Sequence, residues 1–506
     1  MSRQPIVDIA DVTFTYAGAD APSVQNLNLQ ASSGQVIVLA GPSGCGKTTL
    51  TRALSGLIPS FFDGQLSGRV TLDGLDVLTA QTWDVARLAG TVFQNPRTQF
   101  FTTDVVSELA FGCENIGLPP EETRRRVDEA IAQYGLASLV DRSVFALSGG
   151  EKQRLACAAV ATMQTPVLVL DEPSANLDAS GVARLYDAIA DWKQAGRTVV
   201  VAEHRLYYLR DLADEVIVME SGRIVHHLSG KAFRALSRAE VTSRGLRAIH
   251  LDAEDVPLEP SPNRVVDATG LRLSNVSVRR HRPAIPGRPP NRHPVETLRI
   301  GEVAFPAGAV TAVIGPNGAG KSTLANFLIG LGPRQRGCMT LDGQSLSWRQ
   351  RRSVCYLVQQ DVSHQLFTES AQREVRLACP ATDKHPDQTT DDALVAMNLA
   401  GFADRHPLSL SAGQRQRLSI ACALASGRRV AIFDEPTSGL DLIQMRAVAD
   451  ALRGLAAQGR VVIVITHDAE LISEAADHVV ELADGHVTGA YPLDQAGWAG
   501  VLKHLR

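Results

Sequence analysis

Val36-Ile-Val-Leu-Ala40 runs straight into Gly41-Pro-Ser-Gly-Cys-Gly-Lys47-Thr48, and this junction decides how the chain is read. A short, continuous apolar run rich in β-branched residues is the signature of a strand buried on both faces. The Gly-x-x-x-x-Gly-Lys-Thr pattern carries weight only between a strand and a helix, and residues 48–57 supply the helical stretch. Glycines let successive backbone N–H groups turn inward around phosphate oxygens, beside a helix N-terminus that favours anions. Lys47 can neutralise terminal phosphates, and Thr48 offers a hydroxyl to Mg²⁺. The competing reading is a glycine-rich turn with no ligand, and a second occurrence argues against it. Residues 310–314 lead into Gly315-Pro-Asn-Gly-Ala-Gly-Lys321-Ser322, with a helical stretch at 322–331. The candidate phosphate-binding residues are therefore Gly41, Pro42, Ser43, Gly44, Cys45, Gly46, Lys47, Thr48 and Thr49. Their counterparts are Gly315, Pro316, Asn317, Gly318, Ala319, Gly320, Lys321, Ser322 and Thr323. Cys45 reads as a small residue of this loop rather than a redox switch.

The doubling extends further. Leu147-Ser-Gly-Gly-Glu-Lys-Gln-Arg154 recurs as Leu410-Ser-Ala-Gly-Gln-Arg-Gln-Arg417, and Asp171-Glu-Pro-Ser-Ala-Asn-Leu-Asp178 recurs as Asp434-Glu-Pro-Thr-Ser-Gly-Leu-Asp441. His204 recurs as His467; each pair lies 263 positions apart (410 − 147, 434 − 171, 467 − 204). A constant offset means two copies of one domain, expected over residues 1–235 and 268–506. Residues 236–267, acidic and Pro-bearing, read as a linker. Residues 279–294 hold five Arg and five Pro in sixteen positions. They read as a solvated loop insertion, or alternatively as a basic arm touching phosphates or headgroups.

Composition agrees with a folded chain. Of 506 residues, 44% are hydrophobic and 21% charged, and 50 Lys plus Arg against 54 Asp plus Glu leave a net charge of −4. That balance argues against a surface built for nucleic acid or anionic lipid. No run approaches the roughly 20 apolar residues of a membrane span. Residues 155–170 are broken by Gln164 and Pro166 and read as a helix end followed by a strand. The beginning of the sequence lacks the apolar stretch of a signal peptide. Seven cysteines without a C-x-x-C pair argue against a zinc site or a disulfide framework, and a reducing, cytosolic setting fits best.

The remaining strand candidates are 167–170, Thr198–Ala202, 430–433 and Val461–Ile465, with helices between them at 120–134 and 389–399. This alternation is α/β, a parallel sheet with helices on both sides. Two of the strands end in Asp171-Glu172 and Asp434-Glu435. Carboxylates at the C-terminal end of a buried strand sit beside a phosphate loop in such a sheet. The division of labour expected is Asp171 and Asp434 on Mg²⁺, with Glu172 and Glu435 polarising a water. The plainer alternative is a helix N-cap carboxylate.

Taken together, the phosphate loop, the Leu-Ser-Gly-Gly-Glu segment, the Asp-Glu strand end, the Leu-Asp turn and the late His resemble the ABC ATPase family, twice over nearly the whole chain. The resemblance implies two tandem P-loop nucleotide-binding domains, each with a mainly parallel core sheet, an antiparallel β-subdomain and a helical subdomain. It implies two ATP molecules with Mg²⁺ clamped head to tail in a pseudo-dimer within one chain. Ser148 and Gly150 would face the nucleotide held by Lys321, and Ser411 and Gly413 the one held by Lys47. His204 and His467 would hold the γ-phosphate and water. Gln94 and Gln360 would contact Mg²⁺ and signal to a membrane partner, and Tyr16 would stack on adenine. The sequence departs from the family in three places: Ala412 replaces the usual first Gly, Glu203 precedes His204 where the second copy has Thr466, and Arg280 stands where Tyr16 would recur. Unequal sites are therefore expected, although both copies keep a full catalytic set.

Asn95-Pro-Arg-Thr-Gln99-Phe-Phe101 and Glu108-Leu-Ala-Phe111-Gly-Cys-Glu114-Asn115 follow Gln94, and Gln365-Leu-Phe367 and Glu374 follow Gln360. These runs resemble the ATPases of energy-coupling factor importers of vitamins, vitamin precursors or metal ions. That resemblance implies a transmembrane coupling subunit and a small substrate-binding membrane subunit as partners. It also implies a place on the cytoplasmic face of the membrane, and no nucleic acid. The alternatives are a tandem sugar-importer ATPase, which usually carries one degraded copy, and a non-transport ABC ATPase acting on ribosomes or DNA. The latter would be expected to carry a charged helical linker, zinc cysteines or coiled-coil insertions.

Overall fold

The computed structural model describes residues 5–94, 98–175, 177–251, 269–280, 295–332 and 335–505. The chain divides into two compact units at His250/Leu251, and each repeats the same architecture. In the first, the core sheet runs Arg223–Ser229, Glu215–Glu220, Val36–Ala40, Thr198–Ala202, Val167–Asp171, Ala89–Val92. All neighbours pair in parallel except the edge hairpin of Glu215–Glu220 with Arg223–Ser229. In the second, the order reads Cys355–Val358, Val430–Asp434, Val461–Ile465, Ala309–Ile314, His478–Ala483, His486–Pro492.

Every residue of Val36–Ala40, Val167–Asp171 and Thr198–Ala202 is buried, as are those of Ala309–Ile314, Val430–Asp434 and Val461–Ile465. Parallel strands leave neither face to water, so continuous Val/Ile/Leu runs are what such a sheet requires. One face packs against the four-stranded antiparallel sheet of Val24–Ala31, Val7–Tyr16, Gly64–Leu72 and Leu75–Asp76, and the other against helices. The helical part consists of Val105–Asn115, Pro120–Gln133 and Gly149–Met163, mirrored by Ala371–Ala378, Pro386–Ala396 and Ala412–Ala425. The helix bearing the Phe-Gly-x-Glu-Asn run spans eleven residues, whereas its counterpart spans eight. Pro380 accounts for the shorter one, because a residue preceding proline is disfavoured in the helical region.

Two expected boundaries shift. The first unit runs on past residue 235: Ser237 and Glu240 form a capping box on helix Arg238–Ser243, and Val241, Leu246 and Ile249 join the core. Apolar anchors on a capped turn outweigh the polar composition that suggested a linker from 236. The rest of the expected linker, 252–267, lies outside the described residues. Arg279 and Arg280 end the strand Gly270–Arg280 rather than opening a loop, and 281–294 lie outside the described residues. Among the described residues no helix is long and apolar enough to cross a membrane. All seven cysteines are free thiols, and no cluster of metal-ligating side chains was found among the described residues.

Candidate functional site

The phosphate loop grows from the C-terminal end of Val36–Ala40 and closes into helix Lys47–Leu54. Gly41 lies at φ +137°, and a Cβ there would stand 2.1 Å from the Met219 carbonyl oxygen. Gly315, at φ +143°, would place one 2.0 Å from that of Leu482. Only glycine fits, because the loop crosses directly over the neighbouring strand. Lys47 is buried and folds back into the loop: its Nζ donates to Gly41 O at 2.8 Å and Pro42 O at 3.0 Å. Lys321 Nζ does the same with Gly315 O at 2.5 Å and Pro316 O at 3.0 Å. An ammonium resting on carbonyls in a loop at a helix N-terminus is a cradle for anionic oxygens. Cys45 packs inside this loop, and burial pushes its thiol above the ordinary range, which suits a small apolar filler.

The carboxylates arrive from the adjacent strand. Thr48 Oγ1 donates to Asp171 Oδ1 at 3.3 Å, and Ser322 Oγ to Asp434 Oδ2 at 3.0 Å. Burial raises both aspartates above the usual carboxylate range. Glu172 and Glu435 follow at φ +47° and +52°, a left-handed backbone that costs a non-glycine residue about 1 kcal/mol. Their N–H groups donate to Ala202 O and Ile465 O, each at 2.8 Å, so the neighbouring strand end enforces the turn. That turn swings each carboxylate off the strand towards the histidine. His204 Nε2 stands 3.5 Å from Glu172 Oε1, and His467 Nε2 stands 3.6 Å from Glu435 Oε1.

The first unit adds Gln94, whose Nε2 donates to Glu172 Oε2 at 2.9 Å. In the second, Glu435 Oε2 accepts from Thr466 Oγ1 and His467 N, both at 3.4 Å. Burial, Asp171 and Glu203 push Glu172 up to about 8, and burial holds His204 well below its usual value. Both shifts favour the uncharged forms, a protonated carboxyl beside a neutral imidazole.

Tyr16 reaches the same loop through its hydroxyl, 3.2 Å from Thr49 Oγ1, and receives Arg52 Nη1 at 2.8 Å. Arg52 in turn lies 3.9 Å over the Phe62 ring. Neither Arg52 nor Phe62 was legible as a site residue, since only the fold carries them to Tyr16. Asn326 occupies Arg52's place in the second unit and donates to Ser322 O at 2.8 Å. Ser148 and Ser411 cap helices Gly149–Met163 and Ala412–Ala425, each in a capping box with Glu151 or Gln414. Gly150 and Gly413 lie in the first turns.

Four more residues went unread as functional. Gln99 is tied back to the strand end before Gln94, accepting from Phe93 N at 3.1 Å and donating to Thr91 O at 3.0 Å. Gln365 repeats this with Gln359 N at 3.0 Å and Leu357 O at 2.8 Å. Glu108 Oε2 accepts from Phe101 N at 3.1 Å and from Thr102 N and Oγ1, both at 2.8 Å. Glu374 Oε2 accepts from Phe367 N at 3.0 Å and from Thr368 N and Oγ1, both at 2.8 Å. Both units thus pin a loop that holds a phenylalanine out to solvent, Phe101 73% and Phe367 74% exposed. The recurrence of Q-x-F and a following Glu in both copies was the signal available.

A family model described as ABC transporter matches residues 24–175 and 299–438. An ABC transporter ATP-binding protein of Treponema denticola is 39% identical over 487 residues, covering 95% of this chain and 96% of its own. Another, of Methanosarcina acetivorans, is 37% identical over 553 residues, covering 99% and 89%. A solved assembly of ribosome-bound archaeal Pelota and ABCE1 aligns with a TM-score of 0.67 over 97% of this chain and 80% of that one. At 20% identity it shows the shared fold alone.

Proposed function

Because this chain belongs to the ABC transporter ATP-binding family and is an ATP hydrolase with that domain twice, we propose that it powers a membrane importer of the energy-coupling factor type. The observation that carries this reading is the pair of pinned segments at Phe101–Thr102 and Phe367–Thr368, each holding out an apolar ring. An exposed aromatic ring held in place by hydrogen bonds behind it is an anchor that a docking helix can bury. Phe101 stacks on Phe111 at 4.9 Å, and a cleft of about 510 Å³ beside Phe367 is lined by Arg373, Arg376, Leu377 and His406. The Q-N-P-x-x-Q-x-F and E-x-x-F-G-x-E-N runs add the sequence resemblance. The partners proposed are a transmembrane coupling subunit holding a small substrate-binding subunit, with this chain on the cytoplasmic face of the membrane.

Each unit's residues divide the work. The hydroxyl and carboxylate oxygens of Thr48 and Asp171, and of Ser322 and Asp434, form an all-oxygen set that fits Mg²⁺, which keeps few protein ligands and takes the rest from phosphate and water. Gln94 and Gln360 are the further ligands proposed. Bound there, Mg²⁺ supplies neutralising charge to the phosphates. Lys47 and Lys321 move from loop carbonyls to phosphate oxygens. Glu172 and Glu435 orient a water, and His204 and His467 hold the γ-phosphate and water beside them. Tyr16, supported by Arg52, offers its ring to adenine. Ser148 with Gly150, and Ser411 with Gly413, offer hydroxyl and backbone N–H groups at helix N-termini to nucleotide phosphates.

The test is affinity capture of the tagged chain from detergent-solubilised native membranes, with partners identified by mass spectrometry. A polytopic subunit plus a small hydrophobic protein, both lost in Phe101→Ser/Phe367→Ser, supports the reading. Capture of ribosomal proteins instead refutes it.

A further inference from the structure

The turn that carries the histidine is built differently in the two units. Strand Thr198–Ala202 is followed by Glu203-His204-Arg205, whereas Val461–Ile465 is followed by Thr466-His467-Asp468. Glu203 is only 2% exposed. A carboxylate that deep needs donors on both oxygens, and it has them. Oε2 accepts from Ser174 Oγ at 2.7 Å, Ser174 N at 3.3 Å and Tyr208 OH at 3.0 Å. Oε1 accepts from the backbone N–H groups of His204 at 2.8 Å and Arg205 at 3.2 Å. One side chain therefore ties the loop two residues beyond Glu172 to the turn bearing His204.

In the second unit the carboxylate lies on the other side of the histidine. Buried Asp468 accepts from Thr437 Oγ1 at 2.6 Å through Oδ2, and its Oδ1 lies 3.4 Å from Leu471 N. Thr437 stands two residues beyond Glu435, as Ser174 stands two beyond Glu172. Thr466, in the place of Glu203, accepts from Asp468 N at 3.0 Å and donates to Glu435 at 3.4 Å. The same loop and the same histidine are joined by a carboxylate from opposite sequence positions.

We infer that Glu203 is a positioning residue of the first site, holding His204 and the Ser174 loop in register with Glu172, as Asp468 does for His467 and Glu435. The inference rests on ATP hydrolysis alone and is independent of what the protein transports. Its physical basis is reach: a misplaced catalytic group loses rate steeply, while nucleotide binding, carried by the phosphate loop, does not depend on it.

The experiment is steady-state ATP hydrolysis by the full chain in a Glu435→Gln background, which leaves the first site to turn over. Glu203→Thr is expected to lower kcat roughly tenfold to a hundredfold, with KM for MgATP moving less than about threefold. Glu203→Thr/Arg205→Asp, which imports the second unit's arrangement, is expected to return kcat to within about fivefold of the background. An unchanged kcat in Glu203→Thr overturns the inference. So does a loss that the double variant fails to rescue, because the carboxylate would then act by something other than anchorage. Circular dichroism melts monitor folding. If Glu203→Thr does not fold, the double variant decides: folded and active supports the inference, and anything else overturns it.

Discussion

Removing the Glu108 carboxylate tests whether the loop that displays Phe101 is held by one side chain. Glu108 is 4% exposed. Its Oε2 receives three donors, Phe101 N at 3.1 Å and Thr102 N and Oγ1 at 2.8 Å. Hydrogen bonds to a charged group contribute about 1.5–3 kcal/mol each, so three would sum to about 4.5–9 kcal/mol at most. The loop discounts that sum, because donors beside a ring that is 73% exposed can regain water when freed. Glu108 also sits in the first turn of Val105–Asn115, where a negative charge is favoured by a few tenths of a kcal/mol to about 1 kcal/mol. We expect Glu108→Ala to cost about 2–4 kcal/mol. In a unit of this size, 1 kcal/mol moves the midpoint by about 2–4 °C, so Tm falls by roughly 4–16 °C.

The assay is differential scanning calorimetry of the whole chain, following the lower transition. Glu374→Ala, which removes three near-identical bonds in the second unit, should lose a similar amount. Phe101→Ser is the control: the exposed ring loses only its stacking on Phe111, about 0.5–1.5 kcal/mol, so Tm should fall less than in Glu108→Ala while partner capture is weakened. A Glu108→Ala melt within about 1 °C of the parent would refute the reasoning. It would mean that the helix packing, and not the carboxylate, shapes the loop.

Three further outcomes follow from the structure. Glu172 is raised in the folded state from 4.5 to about 8; the native state then holds the extra proton, so this group's contribution to stability falls as pH rises through that window. Nucleotide-free and Mg²⁺-free Glu172→Gln should therefore melt above the parent at pH 8 by more than at pH 5, and a gap that is constant or shrinks with pH contradicts this. Gly41→Ala, forcing a Cβ to 2.1 Å from Met219 O, should abolish fluorescent-nucleotide binding at the first loop and cost at least about 2 kcal/mol of stability; retained affinity would show that the loop can give way. Burial pushes the Cys157 and Cys355 thiols up to about 12, so native-state alkylation at pH 8 should label half-buried Cys338 first and reach these two only in denaturant. Equal labelling rates of Cys157 and Cys338 by mass spectrometry would contradict it.

Much of the site was legible because its chemistry is local. The phosphate loop needs glycines, a lysine and a hydroxyl at one spacing, and the strand-end Asp-Glu pair needs two adjacent carboxylates after an apolar run; both appear as contiguous text. Strands Val36–Ala40, Thr198–Ala202 and Val461–Ile465 fell where the apolar runs placed them, since a doubly buried strand has no reason to alternate. Some of the residues that stayed unread act across long separations. Glu203 meets Ser174 29 positions away, and Arg52 meets Tyr16 36 away. In text Glu203 looked like a departure from the family pattern; in space it is one arm of an exchange with Asp468. Helix Arg238–Ser243 was missed because its short polar turn is stabilised by apolar anchors at Val241, Leu246 and Ile249 that show no period.

The sequence by itself determined the doubling, the α/β class and the phosphate chemistry, because each is written in residues adjacent along the chain and repeated in the same order in the second half. The tertiary structure decided how Glu172 and Glu435 turn out of their strands to meet His204 and His467, and which carboxylate anchors each histidine. Those depend on which strand end and which loop lie beside one another, and packing, not local spacing, sets that.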